Sequence, residues 1–176
     1  MTAVPEYLRP EPGECAPPFF AYISLVPDGD VLASLDQQIQ KTTSRLEALP
    51  PAKADFAYAP GKWTIKQLVG HLVDAERIFS YRALRLARGD STPLPGFDEN
   101  AYVPAAAAER RTLSDLLAEF NAVRRSTLAL FRYLPTEAPT RMGTVNGATM
   151  SVRAVAWIIA GHERHHRRIL EERYFS

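Results

Sequence analysis

A chain of 176 residues suffices for one domain with a sizeable core, and 46% hydrophobic with 23% charged residues is an ordinary globular composition. A net charge of +1, from 21 basic and 20 acidic residues, sets up no long-range field for nucleic acid or an anionic membrane. No apolar run approaches the ~18 residues of a membrane span, no secretory signal opens the chain, and the single Cys15 fits a reducing compartment, so a cytoplasmic location is expected.

Residues 1–27 carry six prolines, at positions 5, 10, 12, 17, 18 and 27. Proline fixes φ and removes a backbone donor, which argues against a helix or a central strand here. Tyr7, Leu8, Phe19, Phe20, Tyr22 and Ile23 argue against a disordered tail. The expectation is an extended Pro-rich N-terminal arm, 1–27, packed on a body formed by 28–176.

A first helix starts at Asp28 or Asp30, either of which could cap it, and Pro50-Pro51 stops it. Leu32, Leu35, Ile39, Thr42, Leu46 and Leu49 recur at spacings of three and four, the amphipathic signature. The second helix opens on Thr64 with Gln67 three residues on, a capping box, with Trp63 and Leu68 as a hydrophobic staple. Its stripe runs through Leu68, Leu72, Ala75, Ile78, Phe79 and Leu86 to a stop at Gly89. Residues 90–111 show no clear periodicity, and a connection this long in a compact domain is often functional. The third helix spans about Thr112 to Leu134, ended by Pro135. Asn146-Gly147 between β-prone runs predicts a small hairpin. The fourth helix runs from about Ser151 to Glu172. Four long amphipathic helices make the fold class all-α, a four-helix bundle.

The chemistry concentrates in three histidines. His71 lies on the buried stripe of the second helix. At about 100° per residue, His166 falls near the centre of the fourth helix's stripe and His162 near one edge, whereas His165 points outward or to the rim. A lone histidine on an apolar stripe is ordinarily a hydrogen-bonded core residue. An i,i+4 pair plus a third imidazole on a neighbouring helix favours one divalent metal on His71, His162 and His166. Nitrogen ligation suits Zn, Ni, Fe or Cu, with Zn or Ni placed first. Three protein ligands leave open positions, the pattern of a catalytic site, where bound water or thiol loses its proton more readily.

HERHH also spells H-E-x-x-H, the zinc-protease signature with Glu163 as base. The metzincin extension is missing, with Ile169 and Glu172 in its Gly and His positions, and only ten residues follow His166. Glu163 is open to three readings: an acceptor behind a ligand, a base, or a structural partner for arginine; the first and third together outweigh the second. Asp98, Glu99, Asn100 and Tyr102 could line a pocket or merely cap and turn, and Arg164, Arg167, Arg168 and Arg173 read as a solvated face. Cys15 reads as a free thiol in the arm rather than a catalytic one.

The pattern W-T-x-K-x-x-x-x-H, Trp63 through His71, followed by G-H-E-x-x-H, Gly161 through His166, resembles the DinB-like family of metal-binding bundles, which is distinct from the DNA polymerase sharing the name. LPGFDENAYV and PPFFAYISLVP look like one branch of it. The resemblance implies an up-down-down-up bundle with residues 90–111 as a long crossover loop. It carries the metal triad onto His71, His162 and His166, and it implies a homodimer. Some members of the family are bacillithiol S-transferases or a mycothiol-dependent maleylpyruvate isomerase. The functional expectation is therefore a metal-dependent thiol S-transferase that joins a low-molecular-weight thiol to a small electrophilic substrate. A metal-dependent hydrolase and a non-catalytic, metal-stabilised stress-response or binding module are the alternatives. Neither nucleic acid nor membrane is expected as a partner.

Overall fold

The computed structural model describes residues 4–175. Its long helices begin where side chains take up free N-terminal amides. Asp30 accepts from Leu32 N and Ala33 N to open α2, Val31–Glu47. Thr64 and Gln67 form a reciprocal capping box at α3, Ile65–Ala87. Thr112 and Asp115 do the same at α5, Leu113–Arg132, and Ser151 accepts from Ala154 N at α6, Val152–Ile169. The chain then tightens into a π-helical turn, Leu170–Tyr174, rather than continuing α-helical to Glu172.

Two expectations need correction. The Pro-rich arm is not wholly extended: a 3₁₀ turn, Pro17–Phe19, leads into α1, Phe20–Ile23. Pro17 and Pro18 occupy the first helical turn, where a missing N–H leaves nothing unsatisfied. Residues 90–111 are not wholly irregular either. They hold α4, Glu99–Ala105, opened by Asp98 accepting from Asn100 N, and a 3₁₀ turn, Ala108–Arg110. Seven residues are too few for a readable period.

Inter-helix contacts fix the arrangement. Along α3 and α5 the partners rise together, from Arg77–Glu119 to Ser80–Thr127. Along α2 and α6 they also rise together, Gln38 with Ala160 and Thr42 with Glu163. For α3 and α6 they oppose: Trp63, just before α3, meets Tyr174, just after α6, and His71 meets His162. From these pairings we infer that the second and third long helices run the same way and the first and fourth the other way. The connection from α3 to α5 must then travel back along the bundle. Lys66 Nζ donating to Glu109 O and Ala108 packing at Gly70 place its end beside the start of α3.

One buried network ties all four long helices. Arg124 on α5 grips Glu76 on α3 with two hydrogen bonds of 2.8 Å and donates to Leu35 O on α2 at 2.8 Å. Its Nη1 also lies 2.8 Å from Glu163 Oε2 on α6, and Thr42 Oγ1 donates to Glu163 Oε1 at 2.6 Å. Arg124, Glu76 and Glu163 are all buried, so each charge depends on the others for compensation.

The arm is pinned at Tyr7 and at Glu14. Tyr7 Oη donates to Phe131 O at 2.7 Å, and Trp157 Nε1 donates to Tyr7 O at 2.9 Å. Glu14 accepts from Ser151 Oγ at 2.6 Å and pairs with Arg153, which holds its carboxyl down from the ordinary 4.5 to about 2. Cys15 is buried beside it, its thiol pushed up to about 11 by burial first and by Glu14 second. Further along, strands β1, Met142–Val145, and β2, Ala148–Ser151, form the expected hairpin. Asn146 and Gly147 both take positive φ at its turn, 50° and 76°, as a type I′ turn requires. Leu94 joins its edge through Thr144 O and Asn146 N, at 2.9 Å each.

Candidate metal centre

His71 on α3 and His162 and His166 on α6 converge through the same ring atom. His71 Nε2 is 3.0 Å and His166 Nε2 3.1 Å from His162 Nε2, and the candidate ligand atoms all lie within 4.8 Å of one another. All three residues are buried. The i,i+4 spacing puts the α6 pair on one face, and the opposed run of α3 brings His71 level with them.

A hydrogen-bonded cluster does not explain this arrangement well. An imidazole Nε2 carries either a proton or a lone pair, never both. His162 Nε2 faces two partners and can share only one proton or one lone pair between them. A cation at the junction would engage all three lone pairs at once. Metal–imidazole bonds of about 2.0–2.1 Å place two nitrogens about 2.9 Å apart at a right angle and about 3.4 Å apart at the tetrahedral angle. The observed 3.0 and 3.1 Å fall between these. The residues present therefore fit a divalent metal with nitrogen ligands.

The electrostatics agree. Burial holds His71 down at about 4, with Glu99 pulling weakly the other way. Burial first, then His71 and His165, hold His166 at about 3. His162 lies well below the ordinary range, by burial and then by the other imidazoles. All three are neutral near pH 7, the form that ligates. Among the described buried side-chain atoms, His166 Nδ1 has no hydrogen-bond partner.

The three rings form the floor of a pocket of about 400 Å³. Trp63 lies 4.8 Å from the His71 ring and 6.4 Å from that of His166. Tyr22 of α1 sets its ring edge against His162 at 5.4 Å and His165 at 5.3 Å. Phe79 lies 6.1 Å from His162. Phe19, Phe97, Arg82, Glu99 and Asn146 complete much of the wall. His165 is half-buried and lines the same pocket.

Gly161 explains how α1 reaches the site. A Cβ there would stand 2.0 Å from Tyr22 O, so only glycine lets the two backbones touch. Of the other sequence candidates, Glu99 lines the pocket and Asp98 caps α4. Glu163 does not line the pocket. It is 1% exposed and belongs to the Arg124 network, so its placement matches the arginine-partner reading. Sequence reasoning missed Tyr22, Phe79 and Arg82 as pocket residues. Arg82 carried a signal, since it follows Ile78 and Phe79 on the apolar side of α3.

A family model described as the DinB superfamily matches residues 34–170. A relative from Oceanobacillus iheyensis, provisionally named a metal-dependent hydrolase, is 28% identical over 139 residues, 74% of this chain and 78% of its own. A second, from Bacillus pumilus and bearing the same provisional name, is 25% identical over 140 residues, 78% of this chain and 77% of its own. The solved structure of YfiT from Bacillus subtilis, described as having an unusual four-helix bundle topology, superposes with a TM-score of 0.73 at 20% identity, covering 81% of this chain and 82% of that one. That likeness is one of fold.

Proposed function

The chain belongs to the DinB superfamily, and on that premise we propose that it is a metal-dependent hydrolase of small molecules. The observation that carries the reading is the convergence of three neutral Nε2 atoms on the floor of an open pocket. His71, His162 and His166 would hold one divalent transition metal, zinc or nickel first. Such an ion supplies Lewis acidity, which polarises a carbonyl and acidifies water or a thiol near neutral pH. The protein's own part is to present three uncharged imidazoles, to wall the site with Trp63, Tyr22 and Phe79, and to leave one face accessible. Glu99, the one carboxylate among the described lining residues, would be the proton acceptor in this reading. The names of the two relatives support hydrolysis over transfer.

Thiol transfer is the second reading. Three neutral imidazoles would leave the charge of a bound cation uncompensated, and such an ion would acidify a small thiol as it would water. Cys15 is buried in the arm and does not line the pocket, so the thiol would come from outside. Activity as a homodimer is part of the same proposal, checked by light scattering.

Elemental analysis of the purified protein is expected to find about one metal per chain, and none in His166→Ala. Stoichiometric metal in that variant overturns the ligand assignment. Metal-dependent turnover on ester and amide panels without added thiol supports hydrolysis. Conjugation of monochlorobimane only with bacillithiol or mycothiol present replaces it with transfer.

A further inference from the structure

Arg82 is the one charged side chain in the pocket wall whose structural role leaves most of it unexplained. It is 4% exposed, yet its one side-chain hydrogen bond among the described residues runs from Nη2 to Pro95 O at 2.8 Å. Its guanidinium lies 5.6 Å from the Phe79 ring and 5.7 Å from the Phe97 ring. No carboxylate among the described residues forms an ion pair with it. Arg124, the other deeply buried arginine, shows the usual solution: two buried carboxylates and a backbone carbonyl. A guanidinium has five N–H donors, and a buried charge is costly unless it is paired and hydrogen-bonded. The carbonyl takes one donor and the rings flank the cation, while Nε and Nη1 are not among the fully buried atoms without a partner, so they remain open to the pocket space.

The position supplies the missing partner. Arg82 lines the same pocket as the three histidines, and Phe79 lies between them, 6.1 Å from His162 on one side. Phe19, Tyr22 and Phe97 add further aromatic surface to that wall. Glu99 faces the same space, but its charge acts on His71 and Tyr22. A cavity of about 400 Å³ has room for a compact small molecule.

We propose that Arg82 is the anion-binding residue of this pocket, and that the substrate is a small molecule with an apolar body and an oxyanion, carboxylate or phosphate, that pairs with the guanidinium. This rests on the reading of the pocket as the substrate site. The anion then sits at the Arg82 end, the apolar body lies along Phe79 and Phe97, and the group to be cleaved faces the histidines. Arginine suits this role because its planar fork matches a carboxylate or phosphate with two parallel hydrogen bonds.

Calorimetric titration of the full chain, zinc-loaded and chelator-treated, with 3-phenylpropionate, 3-phenylpropionamide and phenyl phosphate tests this. The acid is expected to bind at least about tenfold more tightly than the amide in both preparations, the scale of a charge-assisted hydrogen bond. Arg82→Gln is expected to abolish that preference, and Arg82→Lys to keep a part of it. Phenyl phosphate ranking above or below the acid, with the same dependence on Arg82, identifies the oxyanion as phosphate or carboxylate. Equal binding of acid and amide overturns the proposal, as does a preference that survives Arg82→Gln. If Arg82→Gln does not fold, an undiminished preference in Arg82→Lys overturns it. A preference seen only with zinc and indifferent to Arg82 gives the anion to the metal, which overturns this inference and leaves the hydrolase reading standing. An Arg82-dependent preference in a protein without metal-dependent turnover does the reverse.

Discussion

Replacing Gly161 with alanine tests the contact on which the outer wall of the pocket depends. The new Cβ would lie 2.0 Å from Tyr22 O, 2.4 Å from its carbonyl carbon and 3.0 Å from its Cα, where ordinary contact begins at 3.4 Å. α1 would therefore have to withdraw by about 1.4 Å, the difference between 3.4 and 2.0 Å. The atoms in the way are main chain and cannot rotate aside. Overpacking costs about 1–3 kcal/mol, and a clash against backbone belongs at the upper end. Alanine returns up to about 1 kcal/mol of helix propensity over glycine. The net loss is then about 2 kcal/mol, or about 4–8 °C in Tm for a domain of this size. Differential scanning calorimetry measures it directly. The sign decides the matter: without Tyr22 against Gly161, alanine would raise Tm by about 2–4 °C, and an unchanged or raised Tm refutes the contact.

Arg124→Met leaves Glu76 and Glu163 buried with no counter-charge and is expected to cost about 3–5 kcal/mol in urea unfolding. Glu163→Gln keeps the acceptor for Thr42 but loses the charge facing Arg124, so it should lower stability by about 1–3 kcal/mol with metal content intact. Full stability with abolished turnover would instead make Glu163 a catalytic group. Glu14 is held at about 2 in the folded protein against an ordinary 4.5, so its contribution is present above 4.5 and is lost as pH falls from there through 2. The Tm gap between wild type and Glu14→Gln should accordingly be widest near neutral pH and shrink below pH 4.5. A gap that stays constant down to pH 2 refutes the anchoring role.

The three histidines were legible because helical phase is a local property: residues four apart share a face whatever the rest of the fold does. The capping boxes at Thr64 and Thr112 were legible for the same reason. The reason for Gly161 was not, because its partner, Tyr22, lies 139 positions earlier and in a different element. Arg124 was half-legible. Phe120, Val123, Thr127 and Phe131 set a buried phase that includes it, but nothing local indicates which carboxylates will meet it. α1 and α4 escaped because a helix of four or seven residues completes too few turns to show a period, and prolines at its edge read as breakers even where they are tolerated.

The span that matches the superfamily begins at residue 34, and all three histidines fall within it, whereas Phe19 and Tyr22 come before it. The pocket is therefore built from two stretches of chain, with its floor and most of its wall inside the matched span and two aromatic rings before it. The matched bundle contributes the imidazole floor together with Phe79, Arg82 and Phe97, and the arm preceding it contributes Phe19 and Tyr22. On the proposed reading, a substitution at Phe19 or Tyr22 reshapes the wall beside the imidazoles and leaves Arg82 and the ligand helices as they are.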